Sequence, residues 1–268
     1  MDTADFPPLF LSAKLGLMRK SPKIKRDAVK ETKPEFPVRL NKYLAARFPL
    51  TRRAADQLIS TGAVKVNGQV ATVGTVVQAT DKVETKSPSA RPTYRYFAYH
   101  KPAGVATHSS TPGEKAILDV LHLPVKAFPI GRLDKDSRGL IILSNDGRLA
   151  GALLAPEREH EKEYIFTADK TVTEEQAKLL SSGIKIENYR TKKAKVTKTG
   201  DKEFTIVLTE GKKHQIRRMG AAVGLETRDL LRTRIENIKL ADLKAGDFRE
   251  LTGQELVEFL TKLKLARN

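Results

Sequence analysis

The residues with the clearest chemical potential lie together in Gly131-Arg132-Leu133-Asp134-Lys135-Asp136-Ser137-Arg138-Gly139-Leu140-Ile141-Ile142-Leu143-Ser144-Asn145-Asp146-Gly147. Asp134 is a carboxylate set among cationic side chains. Neighbouring opposite charge keeps such a group ionised, and an ionised aspartate can act as a nucleophile. The same pattern also suits a structural ion pair. Leu140 to Leu143 is a short apolar run that reads as a buried strand, and Asn145-Asp146-Gly147 supplies turn chemistry at its far end. Asp134 is therefore expected on a loop anchored to rigid core. Asp136 is a second carboxylate, which would suit glycosidic hydrolysis; a loop ion pair with Arg138 is the plainer reading.

Three further stretches follow the same order as a known family: Lys101-Pro102-Ala103-Gly104-Val105, His160-Glu161-Lys162-Glu163-Tyr164, and Gly211-Lys212-Lys213-His214-Gln215-Ile216-Arg217-Arg218-Met219. With the Gly-Arg-Leu-Asp segment they resemble the RsuA-type ribosomal RNA pseudouridine synthases. Gly-Arg-Leu-Asp-Lys-Asp-Ser, His-Glu-Lys-Glu-Tyr and Arg232-Thr233-Arg234-Ile235 point within that family to the large-subunit synthase F branch. The likeness spans about residues 38 to 262. It implies Asp134 as the essential aspartate, Tyr164 as the tyrosine that stacks on the target base, and Arg217 as the cation paired with the aspartate. It also implies that Arg132 contacts the flipped nucleotide and that Leu133 and Ile216 wall the pocket. Adjacent side chains diverge on a helix or strand, so only one of Arg217 and Arg218 can face Asp134, and the motif favours Arg217. Arg218 then remains a substrate contact. Lys212-Lys213-His214 departs from the branch, where an asparagine-arginine pair is common; His214 reads as an RNA contact or structural residue.

Bulk properties point to the same partner. The chain has 268 residues, 49 Lys and Arg against 32 Asp and Glu, and a formal net charge of +17. Such an excess favours a polyanion through phosphate contacts and counterion release. There are no cysteines, which excludes disulfides and thiolate metal sites. The histidines show no ligand spacing, so no metal is expected, and the resemblance implies no cofactor. No segment has the length of a membrane span, and a cytoplasmic monomer is expected.

Four segments are expected. Residues 1–37 read as a disordered basic arm, with Met18 as an alternative start. Residues 38–86 read as two helices and a small sheet: Leu40, Tyr43 and Leu44 have helical spacing, Thr51 suits an N-cap, Ala54, Ala55, Leu58 and Ile59 form the second apolar face, Gly62 stops it, and Asn67-Gly68 signals a hairpin. This unit resembles an S4-type RNA-binding domain. Its Arg39, Lys42, Arg52 and Arg53 are expected on phosphates. Residues 87–92 read as a linker. Residues 93–265 mix a strand at Tyr94 to Tyr99, strands at Lys193 to Thr197 and Glu203 to Thr209, and helices at Val172 to Gly183 and Thr252 to Leu265. The fold class is therefore α+β: the S4-type domain, then a pseudouridine synthase catalytic domain whose sheet is mixed and mainly antiparallel.

The expected activity is isomerisation of one uridine in structured RNA, with large-subunit ribosomal RNA as the expected substrate and transfer RNA as the alternative. Two competing readings stand beside it: an inactive RNA-binding or ribosome-assembly factor, and a nucleoside or sugar hydrolase using Asp134 and Asp136. The hydrolase would have little use for an S4-type domain.

Overall fold

The computed structural model describes residues 36–265 apart from Pro49, Thr51, 86–92 and Ser110. The basic arm up to residue 35, the 87–92 linker and the Thr51 cap therefore lie outside the described residues.

The N-terminal unit is built as its patterning dictates. Strand β1 (Val38–Arg39) leads into α1 (Leu40–Arg47) and α2 (Arg52–Ser60), followed by β2 (Val64–Val66), β3 (Gln69–Val70), β4 (Val76–Val77) and β5 (Val83–Thr85). Leu40, Leu44, Ala55 and Ile59 face inward and pack with Val38, Val64 and Val77. Asn67 and Gly68 both take positive φ, 52° and 82°, which is the backbone a two-residue hairpin turn of matching twist requires. That turn pairs β2 with β3, and β5 lies on the other side of β2.

The C-terminal unit is organised on one nine-stranded sheet. Its elements are β6 (Tyr96–Lys101), α3 (Ile117–Val120), β7 (Phe128–Ile130), β8 (Arg138–Ser144), α4 (Gly147–Leu153), β9 (Lys162–Ala168), α5 (Glu174–Ser181), β10 (Lys185–Ile186), β11 (Tyr189–Arg190), β12 (Lys195–Gly200), β13 (Glu203–Leu208), α6 (Gln215–Ala222), β14 (Thr227–Ile235), β15 (Ile238–Lys239), β16 (Phe248–Glu250) and α7 (Gly253–Lys262). The strands run in the order β12-β13-β9-β14-β8-β6-β16, with β7 also on β8 and β15 on β14, while β10 and β11 form a separate hairpin. Among the named strands only β8 and β14 pair in parallel, so the sheet is mixed and mainly antiparallel.

Burial explains the apolar run in β8. Leu140 and Ile142 join the core under α4 and α7, whereas Ile141 and Leu143 alternate to the opposite face with Ile117. A strand covered on both faces reads as continuous hydrophobicity rather than alternation. A third cluster packs Phe166, Phe204, Ile206, Leu180 and Met219 between β9, β13, α5 and α6.

Asn145-Asp146-Gly147 does not make a free turn. Asp146 is the N-cap of α4: its carboxylate accepts from the Arg148 amide at 3.1 Å, so turn and helix-start chemistry coincide there. Gly139 is forced by close approach. Its φ is +112°, and a Cβ would lie 2.3 Å from the Arg232 carbonyl oxygen, so only glycine lets β8 run against β14 at this register.

Candidate active site

Asp134 sits on the 131–137 loop between β7 and β8, its side chain about a third exposed. The loop carbonyls on both sides of it are engaged. Thr107 Oγ1 donates to the Leu133 carbonyl at 2.6 Å and accepts from the Leu133 amide at 3.0 Å. The Lys135 carbonyl accepts from the Gly104 amide at 2.8 Å and from Lys101 Nζ at 3.1 Å. The Asp136 carbonyl accepts from Arg217 Nη2 at 3.0 Å, and Asp134's own carbonyl accepts from the Ser137 amide at 3.1 Å. Arg232 Nη1 reaches the Arg132 carbonyl at 3.3 Å. Groups from β6, the loop after it, α6 and β14 thus hold this backbone in one conformation. Preorganisation of that kind is what a reacting carboxylate needs.

Lys101 is fully buried and donates to three carbonyls, those of Pro102 (2.8 Å), Val105 (2.7 Å) and Lys135. Burial lowers its pKa to about 8; the charge of Arg232 pushes the same way, and Asp134 and Asp136 oppose it. Lys162, at the start of β9, is also lowered, again by burial first and then by Arg232.

The expected pairing partner of Asp134 is not where the resemblance put it. Arg217, in the first turn of α6, does not reach the carboxylate; it bonds the loop instead, at the Asp136 carbonyl and at Ser137 Oγ (3.2 Å). Among the described residues the basic side chain within 4 Å of Asp134 is His214, with Nε2 3.6 Å from Oδ1. His214 precedes α6 in the left-handed conformation, φ 50°, which turns its ring toward this loop. Arg218 diverges from Arg217 as neighbours on a helix must: it pairs with Glu187 at 2.5 Å and lies against the Tyr189 ring. The expected Asp136–Arg138 pair is absent as well. Arg138 instead grips Asp229 on β14 with a forked contact, Nη2 to Oδ2 at 2.6 Å and Nε to Oδ2 at 2.9 Å, since the parallel register brings these side chains together across the sheet.

Tyr164 lies near the start of β9, half-buried beside the cluster that contains the buried Ile216. Arg232 connects it to the aspartate loop, because the nitrogen that touches the Arg132 carbonyl is also 3.5 Å from the Tyr164 hydroxyl. Leu133 is buried and Arg132 exposed. In the N-terminal unit Arg39, Lys42, Arg52 and Arg53 are all exposed. Arg39, Lys42 and Arg52 line one shallow hollow with Asn41; Arg53 does not.

Sequence reasoning gave no site role to Thr107, nor to Arg232, which entered only within a family motif. Arg232 carried a signal all the same: it is in phase with buried Leu230 along β14, so period-2 alternation places a guanidinium on the inward side. Thr107 carried none. Among the described residues no group of three or more His, Asp or Glu side chains could hold a metal ion, and no helix is long and apolar enough to cross a membrane.

Comparison with known proteins gives the family. Residues 95–222 match the RNA pseudouridylate synthase family and residues 38–83 the S4 domain. The dual-specificity RNA pseudouridine synthase RluF of Escherichia coli K12 is 40% identical over 229 residues, covering 84% of this chain and 79% of that protein. The ribosomal large subunit pseudouridine synthase B of Bacillus subtilis is 36% identical, covering 81% of this chain and 93% of that protein. A solved pseudouridylate synthase superimposes with a TM-score of 0.62 at 30% identity, over 84% of this chain and 99% of that one. An S4 domain followed by a synthase sheet with a braced aspartate loop, at this level of identity to named enzymes, makes the chain a member of the RsuA-type RNA pseudouridine synthases.

Proposed function

We propose that this enzyme converts one uridine of structured RNA, in large-subunit ribosomal RNA, to pseudouridine without a cofactor, through Asp134. The observation that carries the reading is the braced loop: a carboxylate about a third exposed on a backbone whose carbonyls from 132 to 136 are all engaged.

The reaction breaks the bond from ribose C1′ to uracil N1, turns the base, and forms a bond from C1′ to C5. The C5 proton leaves and N1 gains one, so atoms balance without a co-reactant. The uridine must first be drawn out of its stack. Asp134 serves at C1′ as uracil departs, by bonding to it or by facing its positive charge. Tyr164 lies flat on the detached base and keeps it from escaping, with Leu133 and Ile216 as apolar walls. Arg217 acts on the loop backbone, and Arg132 and Arg218 meet the RNA.

We assign residues 38–86 to an S4-type RNA-binding domain and 93–265 to the catalytic domain. Arg39, Lys42, Arg52 and Arg53 hold phosphates and set position rather than sequence. The Bacillus relative's name, which cites the large ribosomal subunit, favours ribosomal RNA. The Escherichia relative's name cites dual specificity, which is compatible with a second RNA substrate, and transfer RNA is the alternative to test. The test is tritium release from [5-3H]uridine-labelled ribosomal and transfer RNA taken from cells lacking the protein. Release of about one tritium equivalent per large-subunit ribosomal RNA supports the reading. RNA binding without release from either RNA would favour an assembly factor.

A further inference from the structure

Arg232 is a buried cation that the reaction scheme above leaves unused. It is 3% exposed, and among the described residues no carboxylate lies within 4 Å of it, whereas buried arginines are ordinarily paired. Its donors go elsewhere: Nε to the Leu140 carbonyl at 2.6 Å, and Nη1 to both the Arg132 carbonyl and the Tyr164 hydroxyl. Nη2 is buried and makes no hydrogen bond among the described residues. A charge kept inside without a counter-ion, with one donor unspent, is costly to the fold and calls for a use.

We propose that Arg232 is a positioning residue for the isomerisation, its planar guanidinium fixing the Tyr164 hydroxyl against the backbone of the Asp134 loop. This rests on the assignment of Asp134 and Tyr164 to the chemistry. Three features make the guanidinium suitable. Its fork is rigid, so three acceptors on two strands and a loop are held at fixed mutual angles. Its guanidinium carbon stands 5.9 Å from the centre of the Tyr164 ring, close enough to orient the ring as well as the hydroxyl. Its backbone is pinned by the parallel register with Gly139, five residues after Asp134, so guanidinium and loop share one frame.

Arg232 also acts on Lys101. The Arg232 charge disfavours a second charge on Lys101, with Asp134 and Asp136 opposing it, and so contributes to the lowering of Lys101. Deprotonated Lys101 loses the charge in its bonds to three carbonyls, so the reaction should decline above about pH 8. Removing the charge at 232 moves that decline upward. Replacing it with another charge does not.

The test uses full-length Arg232→Lys, Arg232→Met and Asp134→Asn, with single-turnover tritium release from [5-3H]uridine-labelled ribosomal RNA of cells lacking the protein, measured from pH 6 to 10. Arg232→Lys keeps the charge and loses the fork. It is expected to slow the saturated rate at least about 10-fold, with RNA affinity within about twofold and the alkaline limb unmoved. Arg232→Met is expected to slow it as much and to shift that limb upward. A wild-type rate in Arg232→Lys overturns the proposal. So does a loss that merely follows the folded fraction with the limb fixed in both variants, which is what a structural role would give. Full activity of Asp134→Asn would instead remove the reading of the site on which the proposal rests.

Discussion

Thr107→Val removes one oxygen and nothing else of size, which makes it a sharp probe of the aspartate loop. Thr107 is 4% exposed and Leu133 7%, and the threonine hydroxyl both donates to the Leu133 carbonyl and accepts from its amide. Valine leaves two buried backbone groups unpaired next to Asp134. Each such group costs about 1–3 kcal/mol, and partial relaxation of the loop toward water brings the total to about 2–4 kcal/mol. For a chain of this size that lowers the melting temperature by about 2–4 °C per kcal/mol, or about 5–15 °C. The relaxation displaces the carboxylate, and a displacement of about 1 Å slows a positioned reaction by about 100-fold. Single-turnover tritium release should therefore fall about 10- to 100-fold in Thr107→Val, with RNA affinity nearly unchanged, while Thr107→Ser keeps the rate. Thr107→Val with wild-type rate and melting temperature would refute the claim that these bonds hold the loop.

Other consequences can be measured separately. Gly139→Ala places a Cβ 2.3 Å from the Arg232 carbonyl oxygen at a φ of +112°; it should destabilise by about 3 kcal/mol or more in urea unfolding, and an unchanged midpoint would contradict the close approach. Arg39→Ala/Lys42→Ala/Arg52→Ala should reduce the slope of log affinity against log salt by about 2–3 while sparing the rate at saturating enzyme; an unchanged slope would remove these residues from the phosphate interface. The wild-type rate should decline above about pH 8 as Lys101 loses its proton. The sign for stability is opposite: unfolded Lys101 stays protonated up to its ordinary value of 10.5, so between 8 and 10.5 the unfolded chain binds more protons and this group favours folding as pH rises. Rate and stability falling together in that window would exclude Lys101 as the cause.

Local chemistry was legible in the sequence wherever a short segment decides its own conformation. Asn67-Gly68 requires positive φ at both positions, and Leu140 to Leu143 requires burial on two faces; both are found. Asp146 was read as a turn residue alone because an Asx residue before glycine serves a turn and a helix N-terminus equally well, and the helix start rests on Leu149, Ala152 and Leu153 finding a core. The partners of the site were harder to read. Arg138 lies two residues from Asp136 in sequence, yet it pairs with Asp229, 91 residues away, because β8 and β14 run parallel. Arg217 was expected on the Asp134 carboxylate, whereas it bonds the backbone of the same loop. Thr107 is an ordinary threonine until Leu133, 26 residues on, folds against it.

The central claim is tested most directly by pseudouridine mapping, through carbodiimide labelling and primer extension, on ribosomal and transfer RNA from host cells lacking the protein and complemented with wild type or Asp134→Asn. One uridine of large-subunit ribosomal RNA should lose its modification in the deletion strain, regain it with wild type, and remain unmodified with Asp134→Asn although that variant is folded and still binds RNA. Restoration of the site by Asp134→Asn would contradict the role of the aspartate, and an unchanged modification pattern in both RNAs would contradict the activity itself.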